Sequence, residues 1–246
     1  MKRLFDIFVS SLGLIVASPI LMVVIFIIWI QDFNSPFYIA SRVGKNGRLF
    51  KMVKLRSMIV NADSTGVDST ASNDRRITSV GHFVRRFKLD EFTQLFNVLL
   101  GDMSLVGPRP NVKRETDLYT MVEKKLLSVK PGITDFSSIV FADEGNILMY
   151  QSDPDIAYHQ LIRPGKSQLG LFYVNHSSLF VDITLLFVTL IGFISRKTSL
   201  CLLVFLLKQL NASNELCAIA SRRQPLKPSP PPGATRIVTS RDGCTL

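Results

Sequence analysis

Asp90 and Glu91 are adjacent carboxylates set between a basic run, Arg85-Arg86-Phe87-Lys88, and the turn Pro108-Arg109-Pro110. That layout suits the handling of a metal-bound phosphate. Leu89, Phe92, Leu95, Phe96 and Leu99 recur at helical intervals, which predicts an amphipathic helix that starts near Leu89 and stops at Gly101. Both carboxylates then fall in the first turn, where the positive end of the helix dipole keeps them ionised and draws a phosphate. Neighbours on a helix point roughly 100° apart, so one carboxylate can face a reacting phosphorus while the other holds a cation. Acids at a helix start are common, so the weight of this reading comes from what surrounds them.

Pro108 and Pro110 fix their own φ at about −65° and leave Arg109 on a stiff loop, where a planar guanidinium suits bidentate phosphate or base recognition. Upstream, Phe50 to Met58 alternates basic with apolar residues in the two-residue period of a half-exposed strand, so Lys54 and Arg56 share one face. Taken alone, that pattern is equally a solvated strand face.

The elements that must carry these groups are a membrane-seeking segment and a small core. The chain has 246 residues, 47% of them apolar, and a mean hydropathy of +0.26, high for a soluble protein. From Ile7 to Ile30 it carries no charge, and a helix of that length extends about 36 Å, enough for a bilayer's hydrocarbon. Pro19 divides the run into two apolar pieces, each too short to span, and Ser18 is placed to bond a carbonyl that the kink frees. Lys2 and Arg3 precede the run, and Arg42, Lys45, Arg48, Lys51, Lys54 and Arg56 follow it with no acid between Phe33 and Ala62. Basic flanks on both sides favour a re-entrant hairpin with both ends cytoplasmic over a single span. A cleaved signal peptide is disfavoured, because the apolar run is too long and no small-residue cleavage site follows.

The net charge of +10 invites a nucleic-acid partner, but eight of the 29 basic residues and only two of the 19 acids lie from 196 onward, so the body is far less basic than the tail. The body's cations cluster beside the apolar segment and the dyad, which suits anionic headgroups and a nucleotide diphosphate. No zinc-finger spacing, RNP-like motif or recognition-helix pattern supports base readout. Cys201, Cys217 and Cys244 suggest neither a disulfide framework nor a thiolate metal site. His82, His159 and His176 are scattered and read as structural or solvent-facing. With no Walker lysine loop or Rossmann glycine fingerprint, phosphate must be held by arginines, a metal and helix ends.

The order Lys2-Arg3-Leu4-Phe5-Asp6, Ser18-Pro19, Arg42-Val43-Gly44-Lys45, Lys51 to Met58, Asp74 to Gly81, Leu89-Asp90-Glu91, Gly101 to Pro110 and Lys130-Pro131-Gly132-Ile133-Thr134 resembles the bacterial sugar transferase family, over about residues 1 to 195. These are monotopic polyprenol-phosphate phosphoglycosyl transferases, which load the first sugar phosphate onto a lipid carrier. The resemblance implies a UDP-sugar donor, a polyprenol phosphate (undecaprenyl phosphate) acceptor, UMP release and Mg²⁺. It implies Asp90 as nucleophile, forming a covalent aspartyl phosphosugar, and Glu91 as the group that assists the metal. It also places Arg85 near the phosphates and Arg109 at the nucleotide, with Lys54 and Arg56 at phosphate or headgroup. Direct transfer through a ternary complex, with Asp90 only binding metal, is the rival mechanism. A non-catalytic membrane-surface scaffold that recruits downstream glycosyltransferases is the rival function, disfavoured by the intact dyad. Asp135-Phe136-Ser137-Ser138-Ile139-Val140 departs from the family's usual continuation after Thr134, and because this segment is expected to touch the substrate side of the site, the sugar stays open. Phe87-Lys88 likewise replaces small polar residues common before the dyad.

The expected architecture is α/β. A re-entrant membrane hairpin occupies residues 1–33 and a catalytic domain 34–178. Apolar helices that lie on the membrane, or form a hairpin in it, occupy 179–210, and a disordered Pro-rich basic tail 211–246. Asp63 to Asn73 reads as a mobile loop able to close over a nucleotide. The expected location is the bacterial inner membrane, with the catalytic domain on the cytoplasmic face. A homodimer is compatible with this layout, and no nucleic acid is expected.

Overall fold

The computed structural model describes residues 1–62 and 73–240. The loop expected from Asp63 to Asn73 lies outside the described residues apart from Asn73. The chain opens with α1 (Lys2–Asp32), one 31-residue helix that runs through Pro19 and ends at Phe33 in the left-handed region. A turn between two helices was expected at Pro19, and the helix continues instead. Pro19 deprives the Ile15 carbonyl of its helical donor, and Ser18 Oγ donates to that carbonyl at 2.8 Å. The orphaned acceptor is satisfied locally and the helix need not break.

Both ends of α1 are fastened to the same folded body. Near its start, Lys2 pairs with Asp182, Arg3 donates to the carbonyls of Val98 and Leu99, and Asp6 accepts from Ser104 Oγ at 2.9 Å. At its end, Asp32 accepts from Arg56 at 2.6 and 2.8 Å. Between them, Ala17, Leu21, Val24 and Ile28 pack on Leu55 and Val84. The opposite face leaves Phe8, Leu12, Ile15, Ile20, Val23, Phe26 and Ile30 exposed, far more apolar surface than a soluble helix normally leaves in water. By length and composition α1 is able to cross a membrane.

Strands β1 (Phe37–Val43) and β2 (Leu49–Leu55) form an antiparallel hairpin, register Phe37↔Leu55 to Val43↔Leu49. Then come α2 (Ser79–Arg86), α3 (Leu89–Phe92) and α4 (Gln94–Leu100). The helix expected over residues 89–100 has those ends but is divided at Thr93, and Gly101 at φ 94° stops it. β3 (Ser104–Val106) leads to the arginine turn, α5 (Lys113–Asp117) and a 3-10 helix, Glu123–Ser128, and then pairs in parallel with β4 (Gly132–Thr134). The rest is helical: α6 (Phe136–Val140), α7 (Glu144–Leu148), α8 (Pro154–Ala157), a π-turn, Tyr158–Ile162, and α9 (Arg163–His176), followed by α10 (Leu179–Ile194), α11 (Arg196–Gln209) and α12 (Asn214–Ser221). The expected mixture of helix and sheet is present, with the named strands among the described residues forming these two small pairs.

A larger core cluster, besides the one that α1 forms with Leu55 and Val84, joins most of these elements. Met103, Val106, Phe136, Leu169, Tyr173, Leu185, Leu203 and Leu207 lie within it, so α11 packs into the body alongside α10. α10 buries Val181, Leu185 and Val188 and exposes Phe180, Ile183, Phe187, Leu190 and Phe193. It is therefore apolar on both faces. The segment from 211 to 240, read from its composition as disordered, carries α12 and then lies against the body. Ser229 N–H donates to the Gln160 carbonyl at 3.1 Å, Gln160 Nε2 to the Val238 carbonyl at 2.7 Å, and Val238 is fully buried. Its prolines are already restricted in the unfolded chain, so ordering them costs less entropy than the composition alone suggests.

Candidate active site

Two polar side chains on the inner face of α3 and α4 set the dyad in place. Thr93 Oγ1 donates to the Val53 carbonyl at 3.0 Å, Asn97 Nδ2 donates to the Lys51 carbonyl at 2.7 Å, and Asn97 Oδ1 accepts from Val53 N–H at 3.0 Å. These bonds satisfy the edge of β2 that β1 leaves open, as a third strand would. Thr93 and Asn97 are both almost fully buried. The consequence is that Lys54, next on β2, faces Asp90 with Nζ 3.9 Å from Oδ2.

The arginine turn is anchored from the other side. Gly107 N–H donates to the Thr134 carbonyl and Gly132 N–H to the Pro108 carbonyl, both at 3.0 Å, while Asn111 accepts from Val43 N–H at 2.9 Å. The backbones at 107 and 132 approach so closely that a Cβ on Gly132 would fall 2.1 Å from the Gly107 nitrogen. Pro108 and Pro110 are buried against this support. Arg109 is presented across it to the dyad, where Nη2 donates to Glu91 Oε1 at 3.0 Å.

The structure thus brings Lys54, Asp90, Glu91 and Arg109 together, with Arg85 nearby. The Asp90 and Glu91 side chains are 15% and 18% exposed, so desolvation shapes their charge. Burial raises the Asp90 pKa above the ordinary carboxylate range, against the opposing pull of Lys54. Burial acts the same way on Glu91, but the charges of Arg109, Lys88 and Lys54 together outweigh it and hold that carboxyl low. Burial and the neighbouring Arg109 charge push Lys54 down to about 8. Arg109 is raised, chiefly by Glu91. Burial lowers Arg85, with the Asp90 and Asp74 charges opposing.

Arg56 is elsewhere. β2 ends at Leu55, and the Arg56 guanidinium turns to Asp32 and the Ile28 carbonyl, nearly buried. The alternation that placed Lys54 and Arg56 on one face stops at the strand's end, so Arg56 fastens α1 and leaves Lys54 alone at the dyad. Ser18 and Pro19 are exposed near the middle of α1, away from this site. His159 is buried between Arg163 and Glu115, and burial with the Arg163 charge lowers its pKa to about 4, in keeping with a structural role.

Sequence reasoning did not pick out Thr93 or Asn97, and it quoted Gly132 within a motif without giving it a role. Thr93 and Asn97 stand four apart on an otherwise apolar helical face, and that spacing is the available signal. The segment from Asp135 to Val140, expected on the substrate side, contributes Asp135 and Ser137 to a polar pocket beside Arg109, whereas the other lining residues, among them Asn111, Tyr119, Tyr158 and Lys166, were not picked out. Outside the dyad, Phe83, Phe87, Phe92 and Phe96 are exposed, and Lys88 Nζ sits 6.0 Å from the Phe193 ring of α10. The acidic site therefore adjoins an apolar surface.

The donor set fits a hard divalent cation. Among the described residues no three of His, Cys, Asp and Glu converge, but Mg²⁺ commonly takes only one or two carboxylates together with substrate phosphates. Asp90, half-buried and facing its nearest described cation at 3.9 Å, retains coordination capacity for such an ion.

Comparison with known proteins adds an independent line. The bacterial sugar transferase family matches residues 1–196. Over 213 residues the chain is 34% identical to the UDP-galactose-lipid carrier transferase of Erwinia amylovora, covering 80% of this chain and 41% of that protein. It is 36% identical over 204 residues to the undecaprenyl-phosphate galactose phosphotransferase of Salmonella typhimurium, covering 77% and 39%. It is 32% identical over 204 residues to the exopolysaccharide production protein ExoY of Sinorhizobium fredii, covering 77% and 83%. The chain therefore spans about two fifths of the first two relatives and most of the third.

Proposed function

The chain belongs to the bacterial sugar transferase family, and from that premise we propose that it moves a sugar 1-phosphate from a UDP-sugar to polyprenol phosphate. UMP and a polyprenol diphosphate sugar are the products, as the first membrane step of surface polysaccharide synthesis. The observation that carries this reading is the convergence of Asp90, Glu91, Lys54 and Arg109 at the margin of an apolar surface. A nucleotide diphosphate needs the cations, and a lipid phosphate needs the apolar approach.

In the proposed reaction an Asp90 carboxylate oxygen attacks the sugar-bearing phosphorus of the donor. The bond from that phosphorus to the oxygen bridging to UMP breaks, and UMP leaves with the electron pair. An oxygen of polyprenol phosphate then attacks the phosphorus of the aspartyl phosphosugar and returns the Asp90 carboxylate. Asp90 and Glu91 would hold Mg²⁺, which supplies neutralisation of the phosphate charge. Lys54 and Arg109 orient the phosphates and withdraw charge as the bridging oxygen departs. Arg85, coupled electrostatically to Asp90, adds to the positive field.

The fastening of α1 at both ends supports a monotopic placement. Residues 2, 3 and 6 at one end and 32 at the other bond to the same body, so a crossing helix would need that body on both sides of the bilayer. We place α1 as a re-entrant element in the inner membrane, with the catalytic body on the cytoplasmic face. The basic residues beside it meet anionic headgroups there.

The test is UMP release by detergent-purified protein with Mg²⁺, a panel of UDP-sugars, and undecaprenyl phosphate present or absent, comparing the native chain with Asp90→Asn. Sugar-selective release that depends on Asp90 is expected, together with a phosphosugar adduct on Asp90 when the acceptor is withheld. Release that strictly requires the acceptor, with no adduct, would replace the covalent route with direct transfer. No release from any donor by folded protein would remove the transferase reading.

A further inference from the structure

The pocket beside Arg109 is walled in part by Lys166, whose ammonium is ion-paired to Glu144 at the start of α7. Glu144 is also close enough to Arg109 to contribute to its electrostatics. The residue before it, Asp143, is held by two arginines that come from the far end of the chain. Arg196 Nη2 stands 2.8 Å from Asp143 Oδ1, and Arg222 Nη2 donates to Asp143 Oδ2 at 3.2 Å. Arg196 also donates to the Val140 carbonyl at 3.2 Å, and the Arg222 guanidinium lies 5.4 Å from the centre of the buried Phe141 ring. The short turn from 140 to 144 is thus gripped from outside by residues 196 and 222, and it carries the partner of a pocket residue on its inner side.

Arg222 lies beyond residue 196, where the family match ends. We propose that this C-terminal segment, through Arg222 acting with Arg196 on Asp143, positions the wall of the donor's sugar subsite, with Glu144 and Lys166 as the groups it sets in place. The assignment of that subsite rests on the transferase reading. The sugar is joined through one oxygen to the phosphorus that Asp90 attacks, so it must lie close to the dyad and to Arg109 beside it. The pocket there offers a carboxyl, hydroxyls and an ammonium from Asp135, Ser137, Tyr158 and Lys166, the donors and acceptors that a polyol takes. Arg222 is a positioning residue: it touches the turn that holds the wall and not the pocket itself.

The test uses full-length protein with Arg222→Met, Arg222→Lys and Asp143→Asn, and two readouts. Hydrogen exchange without substrate reads the clamp: in Arg222→Met and Asp143→Asn, amides from 140 to 148 should exchange roughly tenfold faster while those from 94 to 100 are unchanged. Kinetics read the subsite: KM for the preferred UDP-sugar should rise roughly three- to tenfold, with kcat and inhibition by UMP, which lacks the sugar, held within about twofold. Arg222→Lys should recover part of both effects. Unchanged exchange at 140–148 would overturn the clamp. Faster exchange with an unchanged KM, or with UMP inhibition weakened equally, would overturn its link to the sugar. If Arg222→Met does not fold, Asp143→Asn decides both points. If the native chain releases no UMP from any UDP-sugar, the transferase reading falls and the sugar subsite with it, while the exchange readout still decides the clamp.

Discussion

Lys54 Nζ stands 3.9 Å from Asp90 Oδ2, near enough for each charge to bias the other and too far for a hydrogen bond. Burial raises the Asp90 pKa and brings Lys54 down to about 8. In the proposed reaction the competent form needs Asp90 deprotonated to attack and Lys54 protonated to attract phosphate. Activity should therefore rise with pH through the elevated Asp90 value and fall again as pH passes about 8 and Lys54 loses its charge. Lys54→Met should remove that alkaline limb and move the acidic limb upward, because Asp90 loses the cation that lowers its pKa. The pH profile of kcat/KM checks both shifts, and an alkaline limb that survives in Lys54→Met would show that another group causes it.

Glu91 differs from Asp90 in that Arg109 already engages it at 3.0 Å. A cation bound at the dyad must share Glu91 with that guanidinium. Chelation of Mg²⁺ should abolish UMP release and re-addition restore it. Glu91→Gln should raise the Mg²⁺ concentration for half-maximal rate by roughly ten- to a hundredfold, on the scale of losing a group that ligates or orients a metal. A titration of rate against Mg²⁺ for the two proteins decides it, and an unshifted midpoint would leave Glu91 serving Arg109 alone.

The arginine turn depends on close backbone contact. With a Cβ on Gly132 falling 2.1 Å from the Gly107 nitrogen, Gly132→Ala must separate β3 from β4 or displace Pro108. Overpacking of this kind costs about 1–3 kcal/mol, and here it also moves Arg109. Gly132→Ala should lower the midpoint of thermal unfolding and raise donor KM together. Gly47→Ala probes a different cause: φ is 77° and, beyond its chain neighbours, no atom of the described residues lies within 4 Å of the added carbon, so any loss there comes from backbone strain with donor KM unchanged. Paired unfolding and kinetic measurements on the two variants separate these effects.

The parts of the site written as local pattern were legible in the sequence, and the parts made by chain crossing were not. The helix bounds at Leu89 and Gly101 follow from apolar spacing and a glycine stop, and the stiff Arg109 turn follows from its prolines. Lys54 and Arg56 looked equivalent because alternation records a strand's faces and not where the strand ends. One ångström-scale fact, that β2 stops at Leu55, sends Arg56 to Asp32 and leaves Lys54 at Asp90. The unbroken course of α1 was likewise hidden: proline signals a missing donor, but only the geometry reveals that Ser18 replaces it on the Ile15 carbonyl. The C-terminal segment misled for a related reason. Its composition predicts no core of its own, and it orders by packing on one that already exists.

The fastening of α1 gives a prediction about topology that does not depend on catalysis. Lys2 and Arg3 bond to carbonyls at 98, 99 and 106, and Asp32 bonds to Arg56, so both helix ends should remain on the side of the body. Single cysteines at Lys45 and at an added N-terminal residue, in otherwise cysteine-free protein in sealed inverted vesicles, should both react with an impermeant maleimide. In right-side-out vesicles neither should. Pro19→Ala with Ser18→Ala restores the helical donor to Ile15 and removes the substitute, favouring a straighter and more regular helix. If the end contacts alone hold the placement, labelling of this double variant stays one-sided. If the proline is what keeps α1 from crossing, a fraction of the N-terminal cysteine becomes reactive from the opposite face while Lys45→Cys stays where it was. Labelling of the two native ends from opposite faces would contradict the monotopic placement outright, because the bonds from residues 3 and 32 to one body could not then coexist.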